Sequence, residues 1–430
     1  MRISIIGSGY VGLVSGACFA ELGHRVLCVD NNRKKITSLK KGIIPIYEPG
    51  LDKLIASNIK KKRLGFSSSI KEAVQKSEII FIAVGTPALE NGEADLTYIE
   101  NVARNIALNM DGYRLIVEKS TVPVETGEWV KKTISTHIRH KTEFDVASNP
   151  EFLREGVAIN DFMQPDRIVI GVESKRAKDL LLKLYKPLKA PVVVTNIKSA
   201  ELIKHASNSF LAAKISFINA LSRICDRVGA DVIEVARGIG LDKRIGLDFL
   251  KAGIGYGGSC FPKDLDAFIN ISSKLGYDFK FLKATKEIND EQKEYVLQKI
   301  KDALWIIKDK TIGVLGLAFK PDTDDIRNSP ALDIITSLKR EGAKIKVYDP
   351  RAQAKSREIL EKVQFCRNPY ELSRGCDCLL VITEWEEFKK LDFSRIKKQM
   401  RLPLVVDARN IYSPEKLKQL GFQYVGIGHR

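Results

Sequence analysis

The chemistry of this chain collects first around one thiol. The stretch Gly253-Ile254-Gly255-Tyr256-Gly257-Gly258-Ser259-Cys260-Phe261-Pro262-Lys263-Asp264 packs four glycines into six residues, which implies a backbone that something approaches closely. Pro262 suits the first turn of a helix, so Cys260 falls at or just before a helix N-terminus, where the dipole favours thiolate. Glycines and polar flanks make a poor core, and Cys260 therefore reads as a nucleophile. Cys18, Cys28 and Cys225 read instead as buried structural thiols. Lys204 and Asn208 are four positions apart, so a helix projects both from one face. Solvation is the default for such a pair, but a lysine and an amide at that spacing can also hold an oxyanion in a covered pocket.

A second constellation lies at the start of the chain. Gly7-Ser8-Gly9-Tyr10-Val11-Gly12 follows an apolar strand and opens a helix, and the next strand, RVLCVD, ends in Asp30, 23 positions after Gly7. Alone such a string is weak, but in this context it reads as a dinucleotide site. Gly7 permits the tight turn, Gly9 lets the backbone approach a pyrophosphate at the positive end of the helix, and Gly12 lets that helix lie against the sheet. Asp30 can accept hydrogen bonds from ribose hydroxyls and would repel a 2′-phosphate, which favours NAD over NADP. In open parallel sheets ligands lie beyond the carboxyl ends of the strands. Other apolar runs end in Gly85-Thr86-Pro87, Ser120-Thr121-Val122-Pro123 and Asn149-Pro150-Glu151, which present donors to a ligand or simply form turns.

The elements that must position these residues follow from periodicity. From Arg2 to about Val194, strand-like runs (ISIIG, RVLCVD, IIFIAV, RLIVEKS, FDVAS, RIVIGV, PVVVT) alternate with helical stretches, which predicts parallel strands with crossover helices on both faces. From Ile197 to about Val228 the spacing becomes helical, with Leu202, Ala206, Phe210, Ala213, Phe217, Ala220, Leu221 and Ile224 along one face. This spine helix packs into a core or serves as a subunit interface, and dimerisation through it is expected. A second alternating series then runs through KTIGVLGLAF, KIKVYDP, CLLVIT and LPLVVDA. The predicted fold is α/β, with two Rossmann-like doubly wound parallel-sheet domains, 1–196 and 306–430, joined by a helical central domain, 197–305.

Composition bounds the partners. A chain of 430 residues suits two or three domains, and 44% hydrophobic with 29% charged residues excludes global disorder. The formal net charge of +17 calls for an anionic partner: nucleic acid, an acidic membrane or a phosphorylated small molecule. The basic residues come in short clusters, such as Lys40-Lys41 and Lys60 to Arg63, with acids interleaved, which reads as solvated helix faces rather than a nucleic-acid groove. Seven cysteines without zinc-site spacing fit a reduced cytoplasm, and no metal site is expected. With no charged leader and no run of about 18 apolar residues, neither secretion nor membrane spanning is expected.

Taken together, GSGYVG, EKSTVPV, SNPEFLREG, the lysine and asparagine of AELIKHASNSF, GYGGSCFPKD and FKPDTDDIRNSP resemble the UDP-glucose/GDP-mannose dehydrogenase family over essentially the whole chain. The resemblance implies a four-electron oxidation of a sugar C6 alcohol to a carboxylate with two NAD+ consumed in turn. GYGGSCFPKD favours UDP-glucose over GDP-mannose or a UDP-N-acetylhexosamine. By the same resemblance Cys260 carries a thiohemiacetal and then a thioester, and Lys204 and Asn208 stabilise the oxyanion. Glu151 is the base towards the hydrolytic water, while Thr121 and Asp264 position water and protons. Val11, Asp30, Lys35 and Thr86 map to the adenine and pyrophosphate side of NAD; Glu155, Lys263 and Arg327 map to the nicotinamide half. Phe152, Leu153, Phe249, Leu250, Lys251, Gly253, Gly257 and Lys320 map to the UDP-sugar, and Arg244 to a substrate contact from the neighbouring subunit of a homodimer. The second α/β series has only Gly313 and Gly316 where a full fingerprint has three glycines, so it fits a nucleotide-sugar domain better than a second NAD site. A cleft for two anionic ligands accounts for the basic balance without nucleic acid. The competing class is a nucleotide-binding protein that lost its chemistry. The presence of Cys260, Lys204, Asn208, Glu151 and Asp264 together argues against it.

Overall fold

The computed structural model describes residues 1–429 other than 88, 90, 91 and 141. The chain forms two compact units, Met1–Ser207 with Asp266–Gly276, and Asn208–Leu265 with Tyr277–Arg430. The stretch 197–305, expected as a helical domain, is divided between them.

In the first unit the strands are β1 (Arg2–Ile6), β2 (Arg25–Val29), β3 (Leu64–Ser67), β4 (Ile79–Ile82), β5 (Arg114–Glu118), β6 (Phe144–Ser148), β7 (Ile168–Val172) and β8 (Val192–Thr195). They lie in the order β3-β2-β1-β4-β5-β6-β7-β8. Burial follows the strand period of two: Ile79, Phe81, Leu115 and Val117 pack on one face, Ile80, Ile82 and Ile116 on the other. Helices therefore cover both faces, and the strands read as continuous apolar runs. The expectation of uniformly parallel strands needs one correction. β7 pairs antiparallel with β6 (Ala147 opposite Val172), and β8 runs parallel to β7. The connection from β6 to β7, residues 149–167, holds the six-residue helix Ala158–Met163. β3 escaped the sequence reading because LGFS is four residues long and half glycine and serine.

In the second unit β9 (Thr311–Leu315), β10 (Lys344–Tyr348), β11 (Gln364–Phe365), β12 (Cys378–Val381), β13 (Leu404–Asp407) and β14 (Gln423–Gly426) form an all-parallel sheet in the order β11-β10-β9-β12-β13-β14. The short edge strands β11 and β14 were not anticipated, since neither carries an apolar run.

The spine helix runs unbroken over Ile197–Val228, as its periodicity predicts, but its packing reverses the naive expectation. Leu202, Phe210, Phe217 and Ile224 are exposed, at 42%, 62%, 54% and 54%. Polar residues Glu201, Lys204, His205, Asn208, Ser209, Ser216, Asn219 and Ser222 are buried instead. Their partners explain how. Glu201 accepts from the amides of Glu125 and Gly127, and His205 Nε2 lies 2.7 Å from the Val122 carbonyl. Ser216 donates to the Thr285 carbonyl, and Asn219 accepts from the Gly253 amide. Buried polar groups stay buried when so satisfied.

Glu118, the last residue of β5, lacks such partners. It is 1% exposed, and neither carboxylate oxygen has a hydrogen-bond partner among the described residues. Burial, reinforced by the Glu201 carboxylate, pushes its pKa up to about 8. The folded value lies above the unfolded one, so the stabilisation is fully present below about pH 4.5 and is lost as pH rises through about 8. Glu118→Gln should flatten the fall in melting temperature between pH 5 and pH 9. The stability difference from the wild type should grow by a few kcal/mol across that range. Parallel curves for the two proteins would show that the carboxyl is not held protonated.

Candidate active site

The dinucleotide turn is built as its glycines suggest. A Cβ on Gly7, which has φ +106°, would lie 2.3 Å from the Ala83 carbonyl oxygen, and one on Gly12 would lie 1.8 Å from that of Gly7. Neither position admits a side chain. A Cβ on Gly9 meets nothing within 4 Å, so the space in front of the helix Tyr10–Glu21 is open. The helix start has no side-chain cap, and the buried Ser8 hydroxyl has no hydrogen-bond partner among the described residues. Bare amides, an open approach and an orphaned hydroxyl fit a pyrophosphate. Asp30, 9% exposed, accepts from the amides of Ser8 and Asn32 at 3.0 Å each and pairs with Lys35 Nζ at 2.7 Å. The residues present thus fit NAD: Asp30 and Lys35 lie together at the end of β2, with Val11 on the first turn of the helix.

The other strand-end loops of this unit interlock. Thr86 Oγ1 donates to the Thr121 carbonyl at 2.9 Å, and Ser120 Oγ to the Val84 carbonyl at 2.7 Å. Beyond β6, Glu151 forms a buried ion pair with Lys204 at 3.0 Å, the side chains being 7% and 5% exposed. Its second oxygen accepts the Leu153 amide at 2.6 Å. Phe152 carries the Arg167 guanidinium over its ring at 3.7 Å, with Lys204 Nζ at 5.4 Å. Two residues missed by sequence reasoning brace this loop. Glu48 accepts from the Gly156 and Ala158 amides, capping the helix Ala158–Met163, and also from the Tyr10 hydroxyl, which ties the dinucleotide turn to the 151–158 loop. Glu155 lies near enough to Tyr10 to oppose ionisation of its phenol. The other is Lys119, which donates from the end of β5 to Asn149. Its only signal in the sequence is a lysine just beyond β5, whose middle, Leu115 to Val117, is apolar.

In the second unit Cys260 is exposed and immediately precedes the helix Phe261–Lys274, and the other six cysteines are buried. The Asp264 amide donates to the Cys260 carbonyl at 2.8 Å, closing the first helical turn. Asp264, 1% exposed, accepts from Asn208 Nδ2 at 2.6 Å and from Lys263 Nζ at 2.7 Å. The glycine run before the thiol is buried, and what approaches it is the protein itself. A Cβ on Gly257 would sit 2.1 Å from the Asn328 carbonyl oxygen, and one on Gly253 would sit 2.7 Å from that of Ala408. The Gly258 amide donates to the Arg327 carbonyl, and Arg409, also missed, donates to the carbonyls of Gly255, Phe319 and Ile382. Phe249 stacks near Phe261, Leu250 is buried, Lys251 is exposed and Lys320 lies over the Phe319 ring. Arg244 stands apart, 88% exposed and chelated by Asp242.

The second sheet has no counterpart of the Asp30 site. Asp349, at the end of β10, accepts from the amides of Leu317, Ala318, Arg351 and Ala352 and from the Trp385 indole. A carboxylate so saturated is a structural brace and has no lone pair left for a ribose.

Three domains of one family match the chain in order. They are the NAD binding domain of the UDP-glucose/GDP-mannose dehydrogenase family over residues 1–189, its central domain over 198–291 and its UDP binding domain over 313–414. The UDP-glucose 6-dehydrogenase TuaD of Bacillus subtilis is 49% identical over 428 residues, covering 99% of this chain and 93% of the relative. A UDP-glucose 6-dehydrogenase of Rhizobium meliloti is 48% identical, covering 100% and 99%. Among solved structures, a UDP-glucose dehydrogenase of Pyrobaculum islandicum superposes with a TM-score of 0.93 at 40% identity, covering 100% of this chain and 98% of that one.

Asp30→Ala removes the acceptor at the ribose position together with the partner of Lys35. It should weaken NAD+ binding on the order of tenfold, the loss of a charge-assisted hydrogen bond. UDP-glucose affinity, read by calorimetry on the same sample, should stay within about twofold. Equal loss of both would place the fault in folding.

Proposed function

The chain belongs to the UDP-glucose/GDP-mannose dehydrogenase family, and from that membership we infer that it oxidises UDP-glucose at C6 to UDP-glucuronate, with two NAD+ consumed per sugar. The observation that carries the reading is the exposed thiol of Cys260 at the head of a helix whose first turn holds Asp264 against Asn208. One turn earlier on the spine helix, Lys204 is held against Glu151. The division into 1–196, 197–305 and 306–430 is proposed on the order of the three matched domains.

When bound, NAD+ supplies the hydride acceptor for both oxidations. The residues of the chain do the rest. The C6 hydroxyl proton leaves either to Lys204 in its neutral form or through a water held by Asp264, and the protonated Lys204 and the Asn208 amide stabilise the developing oxyanion. An aldehyde does not readily release a second hydride from its carbonyl form. Attack of the Cys260 thiolate on C6 gives a thiohemiacetal whose oxyanion drives that departure, leaving a thioester. Glu151 takes a proton from water, which adds to the thioester carbon and expels the Cys260 thiolate with the free acid. Thr121 and Asp264 position the water. Phe152, Leu153, Phe249, Leu250, Lys251, Gly253, Gly257 and Lys320 are proposed for the UDP-sugar, and Glu155, Lys263 and Arg327 for the nicotinamide half.

We further propose a homodimer through the exposed apolar stripe Phe210, Phe217 and Ile224, which recurs every seven residues along the spine helix. In it Arg244 would serve the partner's substrate, in keeping with its exposure on this chain. Among the described residues no helix is long and apolar enough to cross a membrane. A reducing cytoplasm suits the buried thiols.

Purified protein given UDP-glucose and NAD+ should yield two NADH per sugar consumed, and a ratio of one would reduce it to a simple alcohol dehydrogenase. Cys260→Ser should bind both ligands yet form no glucuronate, whereas normal turnover would remove the covalent route. Phe217→Glu should shift the sedimentation coefficient to that of a monomer; an unchanged value would exclude this stripe as the interface.

A further inference from the structure

Three buried side-chain amides surround the glycine run that leads to Cys260. Asn219 stands on the spine helix, while Asn289 and Gln292 stand three positions apart on one face of the helix Lys280–Leu304. Asn289 grips a single residue by both its backbone groups: its Oδ1 accepts from the Tyr256 amide at 2.8 Å, and its Nδ2 donates to the Tyr256 carbonyl at 3.2 Å. Gly253 is gripped in the same manner by two side chains. Its amide donates to Asn219 Oδ1 at 2.9 Å, and its carbonyl accepts from Gln292 Nε2 at 2.8 Å. Gln292 is oriented in turn by Arg223 Nε, which donates to its Oε1 at 3.0 Å. Between the two gripped residues Gly255 has φ +100°, and a Cβ there would lie 2.7 Å from Asn289 Oδ1, so the approach of this amide needs a glycine.

The grip reaches the thiol through one ring. Tyr256, itself buried, sets its ring edge-on against that of Phe261, with 5.8 Å between centroids. Phe261 opens the helix that Cys260 immediately precedes. We propose that Asn219, Asn289 and Gln292 are positioning residues for the oxidation, an amide clamp that fixes the backbone from Gly253 to Tyr256 and, through the Tyr256–Phe261 contact, the helix start from which Cys260 attacks C6. The proposal rests on the reading of Cys260 as the nucleophile. A glycine-rich run has the most backbone freedom to lose and no side chains of its own with which to hold a conformation. A side-chain amide offers one acceptor and two donors, and so can satisfy the N–H and C=O of a single residue as a neighbouring strand would. An apolar residue in its place would leave those buried groups unpaired and the run free to shift.

The test compares the wild type with Asn289→Ala and Gln292→Met in kcat, KM, melting temperature and the rate of reaction with iodoacetamide. Cys260 is exposed and the other six cysteines are buried, so the reagent reads this thiol in the folded protein. In Asn289→Ala kcat should fall at least about tenfold, since misplacing an attacking group by about 1 Å can cost a hundredfold. KM for NAD+ should stay within about twofold, because the dinucleotide turn lies in the other unit. The alkylation rate at pH 7 should fall about threefold as the helix start loses its fixed relation to the thiol. If Asn289→Ala does not fold, Gln292→Met, which releases only the Gly253 carbonyl, is read the same way. A lower melting temperature with kcat unchanged would make the amides structural braces alone and overturn the proposal, as would a loss confined to KM or an alkylation rate equal to that of the wild type. Failure of the wild type to make NADH from UDP-glucose would instead sink the underlying functional reading, and alkylation would still report whether the clamp holds the thiol.

Discussion

The ion pair between Glu151 and Lys204, closed off from water on both sides, is the constraint around which the first unit is arranged. Two charges removed from solvent cost several kcal/mol each unless geometry and further hydrogen bonds compensate. Here they do so by fixed backbone: the Leu153 amide holds the free carboxylate oxygen, and the rings and cations of Phe152 and Arg167 close the other side. A pair built in this way contributes little net stability. Its value is a carboxylate and an ammonium held at defined positions.

The spine helix shows the same priority of chemistry over packing. A helix with alanines, leucines and phenylalanines at helical spacing would ordinarily turn them inward. This one turns Glu201, Lys204, His205, Asn208, Ser216 and Asn219 inward and leaves Phe210, Phe217 and Ile224 outside. Four of these side chains organise a loop or a helix start: Glu201 the start of the helix Thr126–His137, His205 the Ser120–Pro123 loop, Asn208 the first turn after the thiol, Asn219 the glycine run. Loops that carry function cannot satisfy their own backbone groups, and here a single regular element does it for them.

The glycine run before Cys260 serves a related end. Its crowding comes from the Asn328 and Ala408 carbonyls and the Phe319 ring. Backbone packed so closely against backbone leaves the loop little freedom, and the thiol at its end is presented from a rigid mount. Asp349 and Asp30 make the complementary contrast. Both end a second strand after a glycine turn, but the first is saturated by five protein donors, whereas the second keeps company with an ammonium and two amides.

Local grammar alone determined much of this protein. Strand and helix periods set the two α/β series and the bounds of the spine helix. The Gly7-Gly9-Gly12 spacing with Asp30 specified a dinucleotide turn, and Pro262 placed Cys260 at a helix start. These features depend on near neighbours, whose geometry is fixed by backbone sterics. Tertiary structure decided what depends on distant partners. The antiparallel run of β7 is one such feature, and the outward face of the spine helix follows from which polar residues find hydrogen-bond partners away from the helix. Lys119 gained its partner only when the end of β5 met the Asn149 turn. Burial and field are properties of the surroundings, and no spacing along the chain encodes them.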